Sequence, residues 1–497
     1  MHLGNKAQQP CDKKRSSILE TMDLVSSLPE EVLCRILSFL TTKEADLTSV
    51  LSKRWRNLFV SCPNLDIDDS EFLHPQEEGK QERNGVLQSF MDFVDRALAL
   101  QGDSPIKRFS LKCRTGIDQV RVNLWIRNVL KRGVSDLELV LDFPRYGSDG
   151  NEDEDYELPW EMFESKTLVN LKLRSEFGVD WWRDHGTFLP MLRSLSIKDL
   201  ILLPDDLGVF VSALPVIEEL YLAPMTWYWD ETVSSKSLRK LTVHANCFAE
   251  FEDPKSISFD TPSLVYLDYS DYVAADYPIV NLTNLVEARL EVLVTEDQIQ
   301  LIRAAPDSDE YDVVVIQRFR NVTKLMSGLR NVQRLSLTAD TLEVLSLSCD
   351  SMPVFNNLKF LNIKSHKERG WQAVPVLLRN CPHLETIVFE GLIHYVTEDC
   401  GDACGCISRE DKGRSLVSCP VKKIEIRGFE ITVPEMKTIR HLLESLPCLK
   451  EMKIYAEEDN DPTNLEVLRE YELIEMAMKY YGQLFKCDAS FIRPGSL

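Results

Sequence analysis

Long apolar runs are missing from this chain. No uninterrupted apolar segment approaches the ~18 residues that would suggest a membrane span, so no membrane partner is expected. The amino terminus, MHLGNKAQQPCDKKRSSILETMD, has no apolar centre of the kind a secretory signal needs. Positive charge is scarce as well. The 57 Lys and Arg stand against 79 Asp and Glu, a formal net charge of -22, so most of the surface would repel a polyanion and no nucleic-acid partner is expected. Cysteine is modest, at 13 in 497 residues. With no export signal, the thiols are expected to stay reduced in the cytoplasm or nucleus, and the sequons at Asn281 and Asn321 are read as accidental. Catalytic signatures are absent: there is no Gly-rich phosphate loop, no G-x-S-x-G elbow and no H-E-x-x-H pair, and the eight histidines are scattered. These absences lower the odds of catalysis without removing them, since a fold can assemble distant residues into a site, and no cofactor is expected.

What is present begins after a polar tail over residues 1–23, which is expected to be disordered. Ser27 with Glu30 has capping-box spacing, and Pro29 sits where a first helical turn tolerates a missing N–H. Val32, Ile36 and Leu40 fall on one stripe of the helix that follows, and Leu33 and Leu37 on the adjoining one, which makes an unusually broad apolar face. A second start at Thr41 with Glu44 leads into Ala45, Leu47 and Val50, and a third short helix carries Trp55, Leu58 and Phe59. Three short helices in about 40 residues cannot hide that much apolar surface among themselves. No metal or disulfide is offered, so a second polypeptide is expected to cover it. Lys53, Arg54 and Arg56 around Trp55 are then read as solubilising, or as facing acidic groups of that partner.

The segment LPEEVLCRILSFLTTKEADLTSVLSKRWRNLF, within residues 24–68, resembles a plant-type F-box. The resemblance rests on Leu-Pro at its start, Ile36-Leu37, and the Val-x-x-Lys-x-Trp ending at Trp55; it departs at Thr41, where many relatives have proline. It implies binding to the Skp-type adaptor of a cullin-RING ubiquitin ligase, through Leu28, Pro29, Ile36, Leu37, Val50 and Trp55.

Beyond an acidic stretch the pattern becomes helix alternating with strand. Val86, Phe90, Phe93, Val94, Ala97 and Leu98 form one helical stripe, and Val122, Trp125, Ile126, Val129 and Leu130 another, with Gly133 as its C-terminal cap. One strand phrase then recurs: LVNLKL at Leu168, LRSLSI at Leu192, IEELYL at Ile217, LRKLTV at Leu238, LVYLDY at Leu264, and onward to LKEMKI at Leu449. Leu168 and Leu192 are 24 residues apart, and Leu238 and Leu264 are 26 apart, which is leucine-rich-repeat spacing. The last two apolar positions share one face of a strand and the first closes the preceding turn. No unit buries that face alone, so consecutive units stack. The repeats are irregular and lack the Asn that usually follows the strand. TLEVLSL at Thr341 reads as connecting structure, and the long interval after Leu285 as an insertion on the loop face.

The reading is therefore an α/β chain: a three-helix F-box, an irregular leucine-rich-repeat solenoid of parallel strands with outer helices over residues 85–412, and residues 413–490 continuing it. That last segment, with Met436, Ile439, Leu442, Leu443 and Leu446 on one helical face, resembles the FBD region that ends many plant F-box/leucine-rich-repeat proteins, and a solenoid cap is its simplest role. The order F-box, repeats, FBD implies a substrate-recognition subunit of an SCF-type ubiquitin ligase that binds an unknown protein target. A non-proteolytic scaffold with the same two binding modules is the alternative. His394, Cys400, Cys404, Cys406 and Cys419 gather in one stretch whose loose spacing fits no finger pattern. Zinc, a redox disulfide and plain thiols all remain open there. Trp181, Trp182, Trp227 and Trp229 follow two repeat strands, and are read either as gap-filling core or as substrate-facing. The acidic runs Asp149 to Glu157 and Glu457 to Asp461 are read as solvated loops or as attractors of a basic substrate.

Overall fold

The computed structural model describes residues 28–72, 80–114, 118–141, 158–175, 187–202, 207–225, 229–245, 254–304, 310–348, 352–366, 369–392, 416–456 and 465–493. It opens with three short helices, α1 (Glu30–Leu37), α2 (Thr42–Thr48) and α3 (Lys53–Val60). Each start is set locally. Thr41 and Glu44 close a reciprocal capping box at α2, and the Ser52 hydroxyl accepts the Trp55 N–H at α3. At α1 the N-cap position is Pro29 with no side-chain cap; Ser27 lies outside the described residues.

The rest is built on one fifteen-stranded sheet. Its strands are β1 (Asn64–Asp68), β2 (Arg108–Cys113), β3 (Asp136–Leu141), β4 (Asn170–Ser175), β5 (Ser194–Leu202), β6 (Glu219–Met225), β8 (Lys240–Ala245) and β10 (Tyr266–Tyr272). It continues through β12 (Glu287–Leu293), β13 (Arg334–Leu337), β14 (Phe360–Lys364), β15 (Thr386–Glu390), β16 (Lys423–Phe429), β17 (Glu451–Ala456) and β18 (Asp488–Ile492). A small satellite sheet holds β7 (Glu231–Ser234), β9 (Ile257–Asp260) and β11 (Val280–Asn281).

Every pair in the large sheet is parallel, and the phrase of the sequence sets the register. Leu137 aligns with Leu171, then Leu195, Leu220, Leu241 and Leu267 on successive strands. All six are buried, as are the turn-closing residues Leu168, Leu192, Ile217, Leu238 and Leu264. The apolar row faces the helices: α4 (Lys80–Gln101), α5 (Gln119–Lys131), α6 (Leu207–Ser212), α7 (Glu296–Arg303), α8 (Glu310–Gly328), α9 (Ala339–Ser348), α10 (Ala373–Arg379), α11 (Val433–Ser445) and α12 (Leu465–Phe485). Gly133 closes α5 at φ +76, a left-handed geometry that costs glycine nothing, and so lets the chain turn straight into β3.

Two features depart from the sequence reading. Asn64–Asp68 is the first strand of the sheet. The long interval after Leu285 carries α7 and α8 rather than a loop insertion. TLEVLSL is connecting structure, as the sequence reads: it forms most of α9 between β13 and β14, where the Thr341 hydroxyl donates to the Leu290 carbonyl at 3.0 Å and accepts from the Val292 N–H at 2.8 Å. Residues 413–490 extend the same sheet through β16, β17 and the start of β18, its last strand.

Candidate functional site

The helical trio keeps a core of its own, separate from that of the repeats. Leu33, Leu37, Ala45, Trp55, Leu58, Phe59 and Cys62 form it, with Leu28, Cys34 and Leu40 packed on its edge. The broad apolar face of α1 is thereby divided. Leu33 and Leu37 turn inward, while Val32 and Ile36 face outward at 42% and 38% exposure. Following the chain, Phe39 is 77% exposed, Leu47 63%, Val50 78% and Leu51 67%. An isolated exposed apolar residue means little, but six within twenty positions form a patch of the kind that marks an interaction surface.

The residues carried over from the F-box resemblance therefore separate into two groups. Ile36, Val50 and Pro29 are exposed, and Leu28 is half-buried. Leu37 and Trp55 are core residues that hold the trio's shape behind the patch. Phe39 and Leu51 belong to the patch by exposure, yet sequence periodicity passed over them, because both lie in the turns just beyond a helix end.

The trio does not swing free of the repeats. The Thr42 hydroxyl accepts the Asp66 N–H at 2.8 Å, and the Lys107 N–H donates to the Pro63 carbonyl at 2.7 Å. Buried Gln101 donates to the Cys62 carbonyl at 2.9 Å while accepting from Arg132 at 3.0 Å. Lys43 sits 4.1 Å from the centre of the Phe72 ring. Glu71, which accepts from the Thr41 hydroxyl at 3.2 Å, has its carboxyl pushed upward by burial.

The second surface is the face of the large sheet turned away from the helices. Along β2 to β8 it forms an open hollow of about 540 Å³, lined among others by Lys112, Lys172, Arg174, Lys198, Tyr221 and Lys240. From β10 onward five cations of the same face have carboxylate partners. Arg289 and Arg334 pair with Glu287, Arg427 and Lys423 with Glu425, and Lys453 with Glu451.

Of the four tryptophans, Trp229 is described and stands 64% exposed between β6 and β7; Trp181, Trp182 and Trp227 lie outside the described residues. So do His394, Cys400, Cys404 and Cys406, and both acidic runs. Cys419 is buried beside Cys381, whose thiol is pushed up to about 12 by burial and by that neighbour. Among the described residues no group of three or more His, Cys, Asp or Glu side chains is placed to hold a metal, and no helix is long and apolar enough to cross a membrane.

Comparison with known families finds matches over two stretches of the chain. Residues 25–66 match the F-box domain, and residues 122–276 match the leucine-rich repeats of the FBD-associated F-box protein At5g56370. The F-box/LRR-repeat protein At3g58930 of Arabidopsis thaliana is 58% identical over 476 residues, covering 95% of this chain and 98% of that protein. The F-box protein At3g03040 of the same plant is 54% identical over 473 residues, at 94% and 97% coverage. The F-box protein At3g59000 is 52% identical over 479 residues, at 96% and 95% coverage.

Proposed function

The chain belongs to the plant F-box/LRR-repeat protein family, and from that premise we propose that it is the substrate-recognition subunit of an SCF-type ubiquitin ligase. In this reading the trio binds the Skp-type adaptor and the repeats hold a target protein. No catalytic residue is needed, because tethering a target raises its effective concentration at the ligase's active end.

One observation supports the reading above the others: six apolar side chains remain exposed on a trio whose own core is already closed by Leu33, Leu37, Trp55 and Phe59. Burying one such side chain fully is worth about 1.5–3 kcal/mol. Four of the six are more than 60% exposed, so the patch can offset a substantial part of the roughly 4–15 kcal/mol that association costs. Continuity with the repeats gives the patch a second use. A trio hydrogen-bonded to β1 and α4 fixes the bearing of the bound target relative to the ligase, which a flexible tether would not.

The test is titration of a purified Skp-type adaptor into the full chain by calorimetry. Binding is expected, and Val50→Glu with Leu51→Glu should weaken it more than tenfold while leaving the thermal midpoint unchanged. An adaptor that binds both forms equally, or neither, would overturn the proposal.

A further inference from the structure

We infer that the last helix of the repeats is a self-association surface, on which α12 of one chain packs antiparallel against α12 of a second copy about a two-fold axis between Leu473 and Met476. The inference is independent of the ligase reading.

The sequence of α12 carries two apolar stripes. Tyr471, Ile474 and Met478 form the first and are buried, with the Tyr471 ring 5.4 Å from that of Phe491 on β18. Leu473, Met476, Tyr480 and Leu484 form the second, at spacings of three, four and four residues that place them on one helical face. They are 65%, 68%, 61% and 52% exposed. A scattered apolar residue at the surface needs no explanation, whereas four along one face do. Each other helix of the repeats exposes at most two large apolar side chains among its described residues, as at Val120 and Leu124 on α5 or Val313 and Val314 on α8.

Position explains why the second stripe is open. An inner helix of a solenoid has a neighbour on either side, and an end unit needs a polar outer face or a cover. At the first end the trio is that cover, since the Thr42 hydroxyl takes the N–H of Asp66 on β1. At the other end β18 closes the strand order, and among the described residues α12 follows α11 with no helix beyond it. The sequences that flank α12 and β18, EEDNDPTN and PGSL, hold one large apolar residue between them, Leu497. That is too little to cover four.

Symmetry and charge identify the occupant. In an antiparallel pair with its axis between Leu473 and Met476, each of these two meets the other from the second copy. Tyr480 comes level with Arg469 of the second copy, a cation against an aromatic face. On the flank Glu472 comes within one turn of Lys479 of the second copy. All of these contacts occur twice. Arg469, Glu472 and Lys479 are exposed, and among the described residues none of them has an ion pair within its own chain. The helix is thus complementary to itself when reversed.

Two helices that cross in this way bury a few hundred Å² a side, less than the ~800 Å² of a lasting interface. The dimer is therefore reversible, with a dissociation constant in the roughly micromolar range. Its axis lies fourteen strand spacings from the trio along the fifteen-stranded sheet, roughly 67 Å at about 4.8 Å each. Both apolar patches of the trios stay free.

Sedimentation velocity of the full chain, from about 0.1 to about 100 µM, is the test. Monomer should give way to dimer as concentration rises. Leu473→Glu with Met476→Glu should raise the midpoint concentration at least tenfold, while Val120→Glu with Leu124→Glu on α5, and Val50→Glu with Leu51→Glu on the trio, should move it less than twofold. Glu472→Lys or Lys479→Glu alone should raise it threefold or more, and the two together should restore it to within twofold of wild type. An unchanged thermal midpoint in each variant confirms that the fold is retained. A chain monomeric throughout, a dimer weakened equally by the α5 or trio variants, or charge reversals whose losses add in place of cancelling would overturn the inference.

Discussion

Phe39, Leu47, Val50 and Leu51 on the helical trio and Lys172, Lys198 and Lys240 on the sheet are all exposed, but for different physical reasons. The trio has too few residues to enclose its apolar surface, so the excess stands in water and a partner's apolar face is the natural cover. The sheet has no such shortage, since its apolar rows are covered by helices, by the turn that holds Met162 and Phe163, and by the satellite sheet. What it leaves exposed is the alternate side of each strand, where side chains are free to vary without cost to the core. One surface is a consequence of small size, the other of a two-residue period. The first is expected to be insensitive to salt and specific to one partner; the second should respond strongly to salt and be open to variation.

The sharpest way to break this comparison is to attack the trio's core in place of its surface. Trp55→Ala and Leu37→Ala each remove a buried side chain and are expected to destabilise the trio by about 3–5 and 2–5 kcal/mol. Phe39→Ala and Leu51→Ala should leave the trio's stability within about 0.5 kcal/mol of wild type. Chemical denaturation followed by tryptophan fluorescence and far-ultraviolet dichroism would measure both. Because the trio's core is separate from that of the repeats, the core variants should unfold the trio in an early transition while the sheet survives. A single merged transition would show that the two regions are one cooperative unit.

A smaller effect is expected at the junction. Gln101 is 2% exposed and serves the Cys62 carbonyl and the Arg132 guanidinium together. Gln101→Ala leaves buried polar groups without their partner, a loss of roughly 1–3 kcal/mol. Amide exchange in α3 should quicken, with β6 to β10 unchanged.

Thr41→Ala removes the α2 capping box and should lower stability by about 1 kcal/mol, read as a shifted denaturation midpoint with adaptor binding retained. The smallest effect belongs to Glu71 at the same junction. Burial raises its carboxyl above the ordinary value, so its contribution to stability is greatest when protonated and is lost as pH rises through the raised value. Glu71→Gln should therefore stabilise the chain slightly near pH 7, by no more than about 0.5 kcal/mol, and the advantage should vanish near pH 4. An advantage that grew on acidification would reverse the sign argued here.

Much of this architecture was legible in the sequence, since the repeated phrase fixes both strand and register. Leu168, Leu192, Ile217 and their successors are buried because the same spacing recurs at each turn. The capping box at Thr41 and the turn at Gly133 were equally plain. Short elements were not. NLDID, DASFI, ETVS and ISFD hold few apolar positions each, and they become strands only because a neighbouring strand offers its edge. The division of α1 was also beyond reach, for Ile36 and Leu37 are adjacent on one broad apolar face and only the way the trio closes decides which is buried. The cationic face was concealed by composition. Lys112, Lys172, Arg174, Lys198 and Lys240 are spread over a long stretch of an acidic chain, and stacking in register brings them together. Their signal lay in the polar positions within the repeated phrase, the ones that a search for apolar period discards.

The central claim is that the exposed apolar side chains of the trio are the adaptor's landing site. Amide hydrogen exchange of the full chain, with and without saturating Skp-type adaptor, tests it most directly. Protection is expected over Glu30 to Leu51 and into α3, with exchange across β2 to β18 unaltered. Protection confined to the sheet, or none across the trio in a complex that has formed, would contradict it.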